Sequence, residues 1–271
     1  MTIPLSDTEF KGSAPALYDR HLGPFLFEPF AAELAGRVCG EPVRKVLEVA
    51  AGTGIVTRAL REALPAEMRI VATDLNGPMV EYGARRVAAD NVTWAQADAM
   101  SLPYADGEFD LIVCQFGAMF FPDHVAAFRE ARRVLAPGGR FVFSMWAAVE
   151  FSPVAQIIER TVAAAFPDDP PGFLSRTPYG HGDPAVTQDE LRRAGFATVR
   201  ADVVDLTGRV ASAFDAAIGF CQGTPLRAEI AARNATRLDE VTQAAAAAVA
   251  ARFGDHPFDA PMRAYVYEAR P

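Results

Sequence analysis

The stretch KVLEVAAGTGIVTRAL, residues 45–60, decides the fold. An apolar run carries a single carboxylate, Glu48, turns through Gly52-Thr53-Gly54 and enters a helical pattern, TRALREAL, that stops ahead of Pro65. Small residues at such a turn let backbone N–H groups approach a ligand, and the helix behind them presents its N-terminus to it. This is the opening of a nucleotide-binding α/β domain.

Outward from it, strands and helices alternate. MRIVATDL, VTWAQAD, LIVCQFGA and RFVFSMW read as further strands; MVEYGARRVAA and VAAFREARRVL read as helices, the latter stopped by APGG. Such alternation implies βαβ units and a parallel sheet covered on both faces. Ahead of it, aromatic and apolar residues from Phe10 to Leu34 read as two or three short helices broken at Pro24 and Pro29. Beyond residue 150 come a helix over 153–166, a Pro- and Gly-rich loop FPDDPPGFLSRTPYGHGDP and a short helix TQDELRRAGF. Thr187 and Glu190 read as a capping box for that helix. A strand TVRADVVDLTGRV, a mostly helical stretch over 211–252 and a closing strand MRAYVYEAR follow.

Two classes of cofactor use this opening. A dinucleotide site expects GxGxxG, and the third glycine is Thr57 here. Asp74, twenty residues after Gly54, can accept both hydrogen bonds of a ribose diol in either class. Glu48 discriminates: a carboxylate before the glycine turn repels a pyrophosphate and suits a cofactor with an ammonium-bearing end. Asp98, after the third strand, can accept from an exocyclic amino group such as that of adenine.

Four segments, VLEVAAGTG, VATDLNGPMVEYGARR, ADAMSLPYADGEFD and RVLAPGGRFVFS, resemble in order and spacing the class I S-adenosylmethionine-dependent methyltransferases. The similarity is to the subgroup of the ubiquinone/menaquinone biosynthesis methyltransferases, and it covers roughly residues 43–145. Ala50 departs from the pattern, where many members have glycine. The resemblance implies an α/β, Rossmann-like fold: a seven-stranded, mostly parallel sheet with helices on both faces, the last strand antiparallel. It is divided into an N-terminal helical cap (1–42), a cofactor-binding core (43–150) and the remaining strands with a helical lid or insertion before the last strand (151–271), in one continuous catalytic domain.

The resemblance also implies a cofactor set. Glu48 holds the methionine amino end, and Ala50, Gly52, Thr53 and Gly54 pass close to the methionyl part. Asp74 binds the ribose, with Leu75 and Met79 against adenine or ribose; Asp98 and Ala99 meet the adenine. Gln115 and Phe116 stand beside the methionine end, and Tyr18 folds over from the cap. The activity implied is methyl transfer from S-adenosylmethionine, with S-adenosylhomocysteine as product, to a small hydrophobic or aromatic acceptor. Alignment and desolvation do most of that work, so no catalytic residue is assigned. His21, His124, His181, Tyr18 and Tyr179 are candidate bases, and Phe25, Phe27, Phe120, Phe121, Trp146, Phe173, Phe214 and Phe220 are candidate acceptor-pocket residues. The alternatives are a non-catalytic S-adenosylmethionine sensor and an NAD(P)-dependent oxidoreductase.

Composition narrows the partners. The 271 residues carry a net charge of −8, against a broad nucleic-acid footprint. Cys39, Cys114 and Cys221 form no metal or disulfide pattern, and Asp168 and Asp169 have no ligand cluster around them, so no metal site is expected. MTIPLSDTEFKGS lacks signal-peptide character and no apolar run is long enough to span a bilayer, so a cytoplasmic protein is expected. The oligomeric state is not legible.

Overall fold

A computed structural model describes residues 14–40 and 43–271; Phe10 and the MTIPLSDTEFKGS terminus lie outside them. The chain opens on a helical arm: α1 (Ala14–Leu17), a π-helix (Tyr18–Phe27) and α2 (Glu28–Val38) run on without interruption. Pro24 does not break it. The wider π turn absorbs the missing donor, with the Glu28 N–H reaching back to Gly23 O. Pro29 sits in the first turn of α2, where it is tolerated.

The core then builds as the alternation predicts: β1 (Lys45–Val49), α3 (Ile55–Ala63), β2 (Arg69–Asp74), α4 (Gly77–Arg86), β3 (Val92–Gln96), β4 (Phe109–Gln115), α5 (His124–Val134) and β5 (Leu135–Trp146). α6 (Pro153–Ala164), α7 (Phe173–Arg176), α8 (Pro184–Arg193), β6 (Thr198–Val210), α9 (Ala213–Gly223), α10 (Leu226–Asn234), α11 (Leu238–Phe253) and β7 (Phe258–Arg270) complete it. The seven strands lie in the order β3-β2-β1-β4-β5-β7-β6, and β7 runs antiparallel to both of its neighbours. β1 and β4 are almost wholly buried, as strands covered on both faces must be.

Three local expectations change. APGG belongs to β5 as an irregularity: Leu135 pairs with Phe109, the chain loops out through Gly138 at φ 81°, and Arg140 resumes pairing with Leu111. The cap of α8 is Asp183, whose side chain accepts from Ala185 N, with Pro184 in the first turn; Thr187 is inside the helix and buried. The 166–184 loop is exposed over 167–170 and packed over much of 171–179. Phe173, Leu174, Thr177 and Tyr179 are buried, and Glu229 of α10 accepts from the Gly172 and Phe173 amides and pairs with Arg176.

Two glycines seat helices on the sheet. A Cβ on Gly54 would stand 3.0 Å from Val87 and 3.1 Å from Trp94, and one on Gly83 of α4 would overlap the Trp94 ring. Gly83→Ala is therefore expected to destabilise by about 1–3 kcal/mol through overpacking. Gly36→Ala, exposed in α2 with nothing near its added Cβ, is expected to stabilise by about 0.4–1 kcal/mol. Urea unfolding checks both; equal effects would contradict the packing.

Candidate functional site

The C-terminal ends of β1, β2, β4 and β5 open into a cavity of about 400 Å3, roofed by the π-helix, the 173–179 segment and α9. One end is polar. Asp74, the last residue of β2, is 7% exposed and faces the cavity. It accepts from Gly52 N at 2.9 Å through Oδ2 and from Asn76 N at 2.8 Å through Oδ1. Burial raises its pKa, opposed by those amide hydrogen bonds. Oδ1 also receives Asn76 Nδ2 at the longer 3.3 Å, so Oδ2 keeps an open acceptor site and Oδ1 offers one to a ligand hydroxyl that displaces the Asn76 side chain. Leu75 and Met79 flank it, and Asp98, Ala99, Ala97 and Met100 form the facing wall. Asp98 accepts from Met100 N at 2.9 Å through Oδ1, and its Oδ2 has no hydrogen-bond partner among the described residues.

Ala50 and Gly52 line the turn at φ 56° and 55°, the left-handed region. Ala50 has its Cβ against Gly117, where a second Cβ would overlap it, so the small residue lost at one position is kept at the other.

Glu48, Thr53 and Gly54 do not line the cavity. Glu48 is buried beneath α3, and Thr57 Oγ1 donates to its Oε2 at 2.6 Å. Burial lifts its carboxyl to about 8, with the Thr57 hydrogen bond pulling the other way and the Asp74 charge adding to the rise. The two residues that argued against a dinucleotide are thus bonded to each other: the place of the third glycine is taken by the hydroxyl that satisfies Glu48. Gly54 caps α3 at φ 86° and acts in packing, and the Thr53 side chain is buried.

The other end is aromatic. Phe116, Trp146, Phe27, Phe120, Phe121, Phe173 and Phe220 line it with Leu22, Leu26, Met119 and Leu174. Phe116 and Trp146 stack at 3.7 Å and 6°; Tyr18, near enough to Asp74 to feel its charge, stacks on Phe27 at 4.6 Å where the two ends meet. Of the pocket expected from sequence, Phe25 is buried behind this wall and Phe214 is exposed; neither lines the cavity. Gln115 lies between the two ends. Its Nε2 donates to Phe27 O at 3.1 Å, and its buried Oε1 has no hydrogen-bond partner among the described residues. Among the described residues, charged side chains line only the polar end, as Asp74 and Asp98.

Among the candidate bases, Tyr18 and Tyr179 line the cavity and the three histidines do not. His21 pairs with Asp215 at 2.9 Å and His124 with Glu190 at 2.8 Å, and His181 lies against the His124 ring. Desolvation and the neighbouring His124 lower His181 to about 4. Burial raises both tyrosine hydroxyls well above their ordinary value, so they stay neutral. Asp169 pairs with Arg233, and no cluster of metal-ligating residues occurs among the described residues. Sequence reasoning missed Leu22, Leu26, Met119 and Leu174. Their apolar character signals only burial, and what separates a cavity wall from a core is tertiary packing.

Comparison with known proteins places this geometry. A family model described as a methyltransferase domain matches residues 47–143. The demethylmenaquinone methyltransferase of Thermus thermophilus is 38% identical over 112 residues, 41% of this chain and 48% of that one. The ubiquinone/menaquinone biosynthesis C-methyltransferase of Ectopseudomonas mendocina is 36% identical over 121 residues, 43% of this chain and 46% of that one. The chain spans less than half the length of these curated relatives. Among solved structures, phosphoethanolamine N-methyltransferase 2 of Haemonchus contortus, in complex with S-adenosyl-L-methionine, superposes with a TM-score of 0.62 at 14% identity. That match covers 98% of this chain and 59% of that one. The YcgJ protein of Bacillus subtilis gives 0.54 at 19% identity, covering 89% and 98%. Residues 47–143 thus match a methyltransferase domain, and the chain shares its fold with a solved N-methyltransferase.

Proposed function

We propose that the protein transfers a methyl group from S-adenosylmethionine to a small, uncharged aromatic acceptor of quinone type, the class named in its curated relatives. The observation that carries this reading is the division of one cavity: its carboxylates, Asp74 and Asp98, stand at one end and its aromatic rings at the other.

When bound, S-adenosylmethionine supplies a methyl carbon made electrophilic by its sulfonium. The residues present fit it. Asp74 holds the ribose hydroxyls, Asp98 Oδ2 and the Ala99 backbone take the adenine, and Leu75 and Met79 cover the nucleoside. Ala50 and Gly52 give backbone approach to the methionyl part. The orphaned Oε1 of Gln115 accepts an N–H or O–H where the two ends meet. Glu48 supports the turn from behind through Thr57. Phe116, Trp146 and Phe27 exclude water and hold a planar acceptor in line, the main work of such a site. Tyr18 and Tyr179, held neutral, donate hydrogen bonds and do not take protons.

Calorimetric titration with S-adenosylhomocysteine and with NADH tests the cofactor. We expect the first to bind and the second not to, and Asp74→Ala to weaken binding about 10–100-fold, as loss of hydrogen bonds to a charged group does. Binding of NADH alone would overturn the reading; unchanged binding by the variant would remove Asp74 from the site.

Glu48 gives a pH prediction. Its carboxyl is raised from 4.5 to about 8 on folding, so between those values the unfolded chain ionises and the folded protein does not. Its contribution to stability is complete below 4.5 and is lost as pH rises towards about 8. Glu48→Gln cannot ionise, so its stability relative to wild type is expected to climb across that window, by at most about 1.4 kcal/mol per pH unit. Urea unfolding at several pH values reads this; a difference that stays flat with pH would contradict a protonated, buried Glu48.

A further inference from the structure

We propose that Asp19 is a positioning residue: it latches the π-helical arm onto α4 and so keeps Tyr18 closed over the cofactor end of the cavity. The proposal rests on the cofactor assignment above and adds a residue that controls how fast the cofactor product leaves.

Tyr18, Leu22, Leu26 and Phe27 line the cavity from the arm. Spaced about one wide turn apart, they share one face of the π-helix. Asp19, next to Tyr18, turns instead to α4. It is 7% exposed, its Oδ2 lies 2.8 Å from Arg86 Nη1, and Tyr82 Oη donates to the same oxygen at 3.3 Å. α4 is the helix that follows Asp74 and supplies Met79, so the latch joins the arm to the element framing the nucleoside end.

The opposite side of the arm has a different character. Gly219 and Gly223 of α9 leave no room for a Cβ, which would stand 2.5 Å from Leu22 and 3.1 Å from Tyr18 N, and His21 pairs with Asp215 of α9. Gly208 of β6 would overlap Phe25 O in the same way. That seam is a close steric fit, whereas the α4 side is held by an ion pair with one partner half-exposed: the Arg86 side chain is 43% exposed. Opening on that side returns both charges to water, which makes the contact reversible. The seam with α9 and β6 is the hinge, and Asp19 is the catch.

The test is the dissociation rate of S-adenosylhomocysteine from the full chain, measured by stopped-flow displacement for wild type, Asp19→Asn, Arg86→Gln and the double variant. Tyr82→Phe serves as a variant that leaves the carboxylate in place. The latch predicts dissociation about tenfold faster in Asp19→Asn and Arg86→Gln, a smaller rise in Tyr82→Phe, and a double variant no faster than the faster single one. A merely structural contact would lower the melting temperature of the ligand-free protein and leave dissociation unchanged. Unchanged dissociation in every variant overturns the latch while the cofactor reading stands. Failure of the wild type to bind S-adenosylhomocysteine overturns that reading and the latch with it.

Discussion

The structure depends on the place where β1 and β4 lie side by side. From β1 the chain steps outward to β2 and β3, then crosses back to β4 and continues the other way through β5. The loops leaving β1 and β4 therefore diverge, and a crevice opens at the C-terminal ends of the strands. Every group of the cavity is placed by that divergence. Asp74 comes from the neighbouring strand and is tied back to the turn through Gly52 N, Ala50 meets Gly117 across the split, and Gln115 ends β4 at the junction of the polar and aromatic ends.

The turn is stabilised from behind by a buried pair that takes no part in lining the cavity. Glu48 is inside the first strand and finds its partner in Thr57, in the first turn of α3, at 2.6 Å. A carboxyl at 2% exposure is tolerated because it stays protonated at neutral pH and has a hydroxyl beside it. The turn is thereby pinned at both ends, by Glu48–Thr57 beneath and by Asp74–Gly52 on the cavity side.

The sheet and the polar end of the cavity are legible because their signals are local. Apolar runs, turn glycines and Asp74 after the second strand carry their meaning within a few residues. Long-range pairing was not legible. Glu48 and Thr57 were each informative alone, yet nothing in their spacing says that they bond. Thr187 reads as a cap from its spacing to Glu190, yet Asp183, followed by Pro184, starts the helix. On the acceptor side, Phe25 and Phe214 read like their neighbours; burial of one and exposure of the other follow from how the arm and α9 pack. The polar latch of Asp19 to Arg86 spans elements far apart in the chain and leaves no pattern in sequence.

In the function we propose, one cavity holds the nucleoside between Asp74 and Asp98 and directs the sulfur towards the Phe116–Trp146 stack. A crystal structure of the complex with S-adenosylhomocysteine measures this directly. The account predicts both ribose hydroxyls on Asp74, the adenine amino group at Asp98 and the sulfur facing the aromatic end. A ribose bound elsewhere, or a sulfur turned away from Phe116 and Trp146, would contradict it.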